Sequence, residues 1–163
     1  MNRPTPQEAR SGVVAVLNDS VAHALELKGC LESERSALER QDADALETIV
    51  ATKSQWVEQL KSLEDRRSKL CEAAGFSAGP TQMDELTSWC DENDAISGRW
   101  DRLMSIAADC NSINLGNGAI IRLRRNHVDA SLAVLRGAEQ EDSTYRSSGD
   151  NANAMMKRSL ARA

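Results

Sequence analysis

Two histidines, four cysteines and 25 Asp and Glu residues are the side chains in this sequence that could ligate a metal or move a proton. A di-iron carboxylate bundle needs Glu-x-x-His on two helices, so that carboxylate and imidazole share one inward face. His23 has Ser20 three positions before it and His127 has Arg124, so neither completes that element. Cys30, Cys71, Cys90 and Cys110 lie 41, 19 and 20 residues apart, and no Cys-x-x-Cys pair occurs. A zinc knuckle and a dithiol redox motif both need that close pair, so neither is spelled out. Scattered single cysteines read as reduced, mostly buried thiols of a cytosolic protein. No Gly-x-x-x-x-Gly-Lys-Ser loop is present, and Gly116-Asn117-Gly118 lacks the preceding strand that a phosphate-binding turn requires. Acidic residues such as Glu8 and Asp19 have no partner that spacing brings opposite them. The expectation is no metal, no cofactor and no enzyme.

What remains is binding, and composition limits the scaffold that carries it. The 163 residues hold 20 Lys and Arg against 25 Asp and Glu, for a net charge of −5. An acidic balance argues against a general nucleic-acid partner, which needs a basic face. Aromatic residues are only 3%, proline occurs at 4, 6 and 80, and no segment alternates apolar and polar residues. Those features exclude an all-β protein and point to an all-α one, an elongated antiparallel bundle. No apolar run reaches the length of about 18 residues that a membrane span takes. The opening residues, Met1 to Arg10, carry no apolar segment of the signal-peptide kind. No membrane insertion is expected, and the expected location is the cytoplasm.

Periodicity divides the chain into three long helices, one short helix and a tail. Thr5 and Pro6 start a helix over about 5–40, in which Leu17, Ala24, Leu31 and Leu38 recur every seven residues. Ser20, Leu27 and Glu34 occupy the intervening positions of that stripe. Asp42 caps a second helix over 42–74, with Ile49, Trp56, Leu63 and Leu70 as an unbroken heptad row and Gly75 as its left-handed stop. A short helix over 81–91 carries Met83, Leu86 and Trp89, and Asp91-Glu92-Asn93-Asp94 breaks it and caps the next. The third long helix runs over 94–136, first with Ile96, Leu103, Ile106 and Cys110. Its stripe then rotates to Ile120, Ile121, Val128, Leu132 and Leu135. Two glycines inside it, Gly116 and Gly118, each cost about 1 kcal/mol relative to Ala, yet the apolar pattern on both sides favours one continuous helix.

Residues 1–137 thus form a helical bundle, and residues 138–163 a flexible tail in which Met155, Met156 and Leu160 make a short amphipathic helix. From Ser143 onward four basic residues against Asp150 give +3, leaving −8 of the total −5 to the residues before it. A positive tail on an acidic helical body is the pattern of a docking segment. Glu34, Lys53 and Arg67 interrupt apolar stripes, which indicates an incompletely closed seam or long stems reaching out to water. A thin bundle buries less per residue than a compact globule and leaves apolar grooves, which suit another amphipathic helix. The short 81–92 element or a second copy of the chain would fill the same need.

The order of these blocks resembles the FlgN family. Leu31-Glu32-Ser33-Glu34-Arg35-Ser36-Ala37-Leu38, then Asp42 to Leu46, then Ala51-Thr52-Lys53 look like the family's core, and Leu60, Leu63, Arg66-Arg67 and Ala74-Gly75-Phe76 like its helix end. Ile113-Asn114, Asn117-Gly118 and Ile120-Ile121 resemble a third-helix segment, and Leu132, Leu135-Arg136-Gly137 and Tyr145 to Gly149 its tail. Together they cover residues of about 13–163.

The resemblance implies a cytoplasmic chaperone of flagellar type III export. It would bind the C-terminal amphipathic helices of the hook-filament junction proteins FlgK and FlgL and deliver them to the export gate protein FlhA, without nucleotide. The cargo-binding residues it implies are Ile120, Ile121, Val128, Leu132 and Leu135, with Met155, Met156 and Leu160 covering or joining them. Tyr145, the only tyrosine, would dock the gate. Ordinary bundle core is the competing reading of the Ile/Leu stripe, and a plain linker residue that of Tyr145. The free protein is expected to be a monomer or a weak dimer. A structural coiled-coil adaptor that dimerises without releasing cargo is the other functional class.

Overall fold

A computed structural model describes the backbone of residues 3–160 and the side chains of residues 3–137. It contains three long helices and one short one: α1 (Pro6–Arg40), α2 (Ala43–Ala73), α3 (Gln82–Cys90) and α4 (Ser97–Leu160). Among the described residues there is no strand. The chain divides into two units, Met1–Ala119 and Ile120–Ala163, and α4 contributes to both.

Local chemistry sets the ends of the helices. Thr5 closes a capping box on α1: its hydroxyl accepts from the Glu8 amide at 3.3 Å, and its own amide donates to the Glu8 carboxylate at 2.9 Å. Asp42 caps α2 by accepting from the Ala45 amide at 3.0 Å. Gly75, at φ +93°, ends α2, and the Phe76 amide reaches back to the Cys71 carbonyl at 3.0 Å. That is a Schellman stop with the residue it prefers.

The α1–α2 corner uses the same stop with the wrong residue. Gln41 sits at φ 60°, and the Asp42 amide donates to the Ala37 carbonyl at 3.0 Å. A side chain in this left-handed region crowds the carbonyl oxygen, at a cost of about 1–2 kcal/mol, which glycine avoids while losing more chain entropy on folding. Gln41→Gly should therefore stabilise the fold by about 0.5–1 kcal/mol. Urea unfolding of the two proteins measures it, and a lower midpoint for the variant would refute the strain.

In the first unit α1 and α2 form an antiparallel hairpin, with Cys30 opposite Ile49 and Gly12 against Leu70. The first part of α4 runs parallel to α1: Asn18 meets Arg99, Lys28 meets Asp109, and Leu31 meets Asn117. α3 packs across one end. There Ala9, Val13, Leu17, Cys71, Ala74, Met83, Leu86, Cys90 and Ile96 make one buried cluster, with Phe76, Trp89 and Trp100 around it. Further along, Val21, Ala24, Leu31, Ile106 and Cys110 form a second. The stripe that begins at Leu17 is the floor of both.

The polar residues within the stripes are buried and paired. Glu34 is 4% exposed and receives the Lys53 ammonium at 2.6 Å. Arg67 is 7% exposed, donates to both oxygens of Glu64 at 2.8 and 2.6 Å, and lies over the Trp100 ring at 5.1 Å. α2 owes its two buried residues to Arg67 and Cys71, while its heptad row Ile49, Trp56, Leu63 and Leu70 is only half-buried.

α4 is helical through Asn114–Gly118, with no break at the two glycines. The Arg35 guanidinium lies over Gly116, in space that a methyl group there would share with the end of that flexible side chain. At its other end α4 is started by a side chain several residues upstream. Asp91 accepts from the amides of Ile96 and Ser97, each at 2.8 Å, across a turn in which Asn93 and Asp94 take φ of 59° and 55°. Burial pushes the Asp91 carboxyl up, but those amide hydrogen bonds outweigh it and hold the group below its ordinary value. A depressed carboxyl contributes stability that is present above its unfolded pKa of about 3.9 and is lost as pH falls through the folded value. Asp91→Ala should cost about 1 kcal/mol at pH 7 and less at a pH below the folded value, where the carboxyl is protonated. Thermal melts at the two pH values test it; an equal cost at both would refute the role of the charge.

Candidate functional site

The first unit leaves a groove where a fourth helix would lie. Its floor is α1, with Ala24, Leu27 and Leu31; α2 supplies Val57 and Leu60 on one wall, and α4 supplies Leu103, Met104 and Cys110 on the other. The depression comprises two neighbouring cavities of about 340 Å³ and 320 Å³ that share Leu27 and Cys110. Val57 and Met104 stand 51% and 42% exposed on its walls. α3 does not reach this region, because its buried side chains belong to the other cluster.

One end of the groove is fastened by a hydrogen-bonded network. Asn117, 1% exposed, donates to the Leu31 carbonyl and to Glu34, both at 2.9 Å, and accepts from Arg35 at 3.2 Å. Glu34 in turn holds Lys53 of α2. Three helices are thereby tied at one level. Every member is satisfied, the condition under which a buried polar cluster orders its surroundings.

The second unit offers a different kind of surface. On α4, Ile121, Val128, Leu132 and Leu135 are 49%, 54%, 43% and 62% exposed, and Ile120 is half-buried. These are the five third-helix residues expected to bind cargo. Ile121, Val128, Leu132 and Leu135 recur at steps of seven, four and three, so they lie on one helix face. Arg122, Arg124 and Arg125 intervene, and Arg125 lies 3.9 Å from Asp129. The side chains of Tyr145, Met155, Met156 and Leu160 lie outside the described residues.

Elsewhere the polar chemistry is quiet. Among the described residues no group of His, Cys, Asp and Glu is placed to hold a metal. Burial raises the thiols of Cys30, Cys71, Cys90 and Cys110, which keeps them protonated and unreactive at neutral pH. His23 packs against Trp56 with the rings tilted by 39° and their centres 5.2 Å apart, and its Nδ1 is buried without a hydrogen-bond partner. Among the described residues no helix is long and apolar enough to cross a membrane. What the described arrangement offers is apolar surface on which a partner helix can lie.

Apolar grooves were expected of a thin bundle, but the place and lining of this one were not read from the sequence, although a signal exists. Val50 and Val57 stand one residue after Ile49 and Trp56, so α2 carries a second apolar column seven residues in period. Only the packing of α3 at the far end shows that this column stays uncovered.

Comparison with known proteins gives the family and a similar fold. The family model described as FlgN protein matches residues 10–153. A flagella synthesis protein FlgN from Pseudomonas aeruginosa, known from its crystal structure, is similar in fold with a TM-score of 0.60 at 23% identity. The match covers 74% of this chain and 90% of that one. No curated protein matches the sequence.

Proposed function

The chain belongs to the FlgN family, and from that membership we propose that it is a cytoplasmic chaperone of flagellar synthesis. Its cargo is the C-terminal amphipathic helices of the hook-filament junction proteins FlgK and FlgL, which it delivers to the export gate protein FlhA. The observation that carries this reading is the exposed stripe of Ile121, Val128, Leu132 and Leu135 on α4. Covering the exposed half of one such side chain yields about 0.8–1.5 kcal/mol, and the apolar side chain set against it adds a similar amount. Four of them together are of the size needed to offset the association cost of roughly 4–15 kcal/mol. A cargo helix that shelters this stripe is itself sheltered, which is what keeps an export substrate from associating before its time. Residues 138–163 serve the same surface: Met155, Met156 and Leu160 cover or join it, and Tyr145 contacts the gate. Methionine suits a contact that must repack around two cargos. The protein acts by binding, with no cofactor and no nucleic acid, and is a monomer or weak dimer until cargo arrives.

Size-exclusion chromatography with light scattering tests this. Mixing the full chain with the C-terminal segment of FlgL or of FlgK should give a one-to-one complex. A stable self-dimer that ignores both segments would refute the reading and leave a structural adaptor in its place.

A further inference from the structure

The apolar stripe of α4 is not uncharged along its length, and the charge has a register. Ile121, Val128 and Leu135 are seven residues apart, and Leu132 falls four after Val128 and three before Leu135. That is the spacing of a coiled-coil seam. Carried back one repeat, the seam position between Ile121 and Val128 is Arg125, whose side chain is 83% exposed. The positions that flank a seam determine which partner pairs with it. Here Arg122, Arg124 and Arg136 occupy flanking positions, against a single carboxylate, Asp129.

We propose that α4 selects amphipathic helices that place a carboxylate opposite Arg125 and carry acidic residues along their flanks. This rests on the reading that the stripe takes a partner helix, and it adds the charge chemistry of that helix. A guanidinium within the seam is costly to cover with an apolar residue and favourable to cover with a carboxylate. The same residue works against self-pairing, since two copies aligned in parallel through this seam would set Arg125 against Arg125. An anionic lipid surface fits less well. Interfacial helices present a broad apolar face with Trp or Phe, whereas this stripe is narrow and residues 120–137 contain no Trp, Phe or Tyr. The preceding residues also hold 20 acidic against 12 basic side chains, which anionic lipid would repel.

Two designed helical peptides with one apolar seam test the proposal, one bearing Glu opposite Arg125 and on its flanks, the other Lys. The full chain should bind the Glu peptide at least about tenfold more tightly, as like charges in register are expected to oppose binding. Arg125→Glu should shrink or invert that preference at unchanged helicity, and Arg125→Leu should promote self-association. Equal binding of the two peptides, or a preference that Arg125→Glu leaves intact, would overturn the proposal. So would binding to vesicles of phosphatidylglycerol and phosphatidylcholine without preference between the peptides. If the FlgL segment binds and neither peptide does, the charge register is wrong while the chaperone reading stands. If none of the three binds, both fall.

Discussion

Replacing Val128 and Leu132 together with Asp is expected to weaken binding of the FlgL C-terminal segment by at least about a hundredfold. Both side chains are near half exposed, so removing them takes little from the folded protein itself. Substitutions at such positions usually move stability by no more than about 0.5 kcal/mol. Binding, in contrast, loses two buried apolar contacts and has to desolvate two carboxylates against the cargo's apolar stripe. Titration calorimetry and a urea melt on the same variant separate the two effects. Val57→Asp is the control, because Val57 stands on the wall of the first unit's groove. Strong loss on Val57→Asp with none on the α4 pair would move the cargo site to that groove.

The second large effect is on stability and centres on Glu34. Glu34→Ala leaves the Lys53 ammonium and one Asn117 N–H without the acceptors they now have at 2.6 and 2.9 Å. Breaking a buried pair by removing one partner costs about 3–5 kcal/mol. Lys53 keeps 25% of its side-chain surface in water, so about 2–3 kcal/mol is expected here. Replacing the pair by apolar residues, Glu34→Leu with Lys53→Met, should recover most of that loss, because no charge is then stranded. Denaturant midpoints for the three proteins decide it. A Glu34→Ala variant as stable as the parent would show that the network contributes nothing.

The two units differ in how much of them could be read from residues alone. Helix ends were legible because their determinants are local: Thr5, Asp42 and Gly75 each act within one turn of where they stand. The floor of the core was legible for a related reason, since a seven-residue apolar period on α1 has one face to bury. Glu34, Lys53 and Arg67 show where that reasoning stops. A charged residue on an apolar stripe looks like a defect until its partner is known, and those of Glu34 lie 19 and 83 residues away. Asn117 is the sharpest case. It stands between two glycines in a stretch that resembles a helix break, yet it is almost fully buried and links α4 to α1. The five third-helix residues expected on the stripe lie on one stretch of α4, four of them exposed. Whether cargo sits there is a matter of binding, which a period cannot report.

Hydrogen exchange of the chain with and without the FlgL C-terminal segment tests that directly. The account predicts slowed amide exchange over residues 120–137 on binding, with residues 50–64 and 103–115 changed little. Protection confined to those last two stretches, or no protection anywhere on α4, would contradict it.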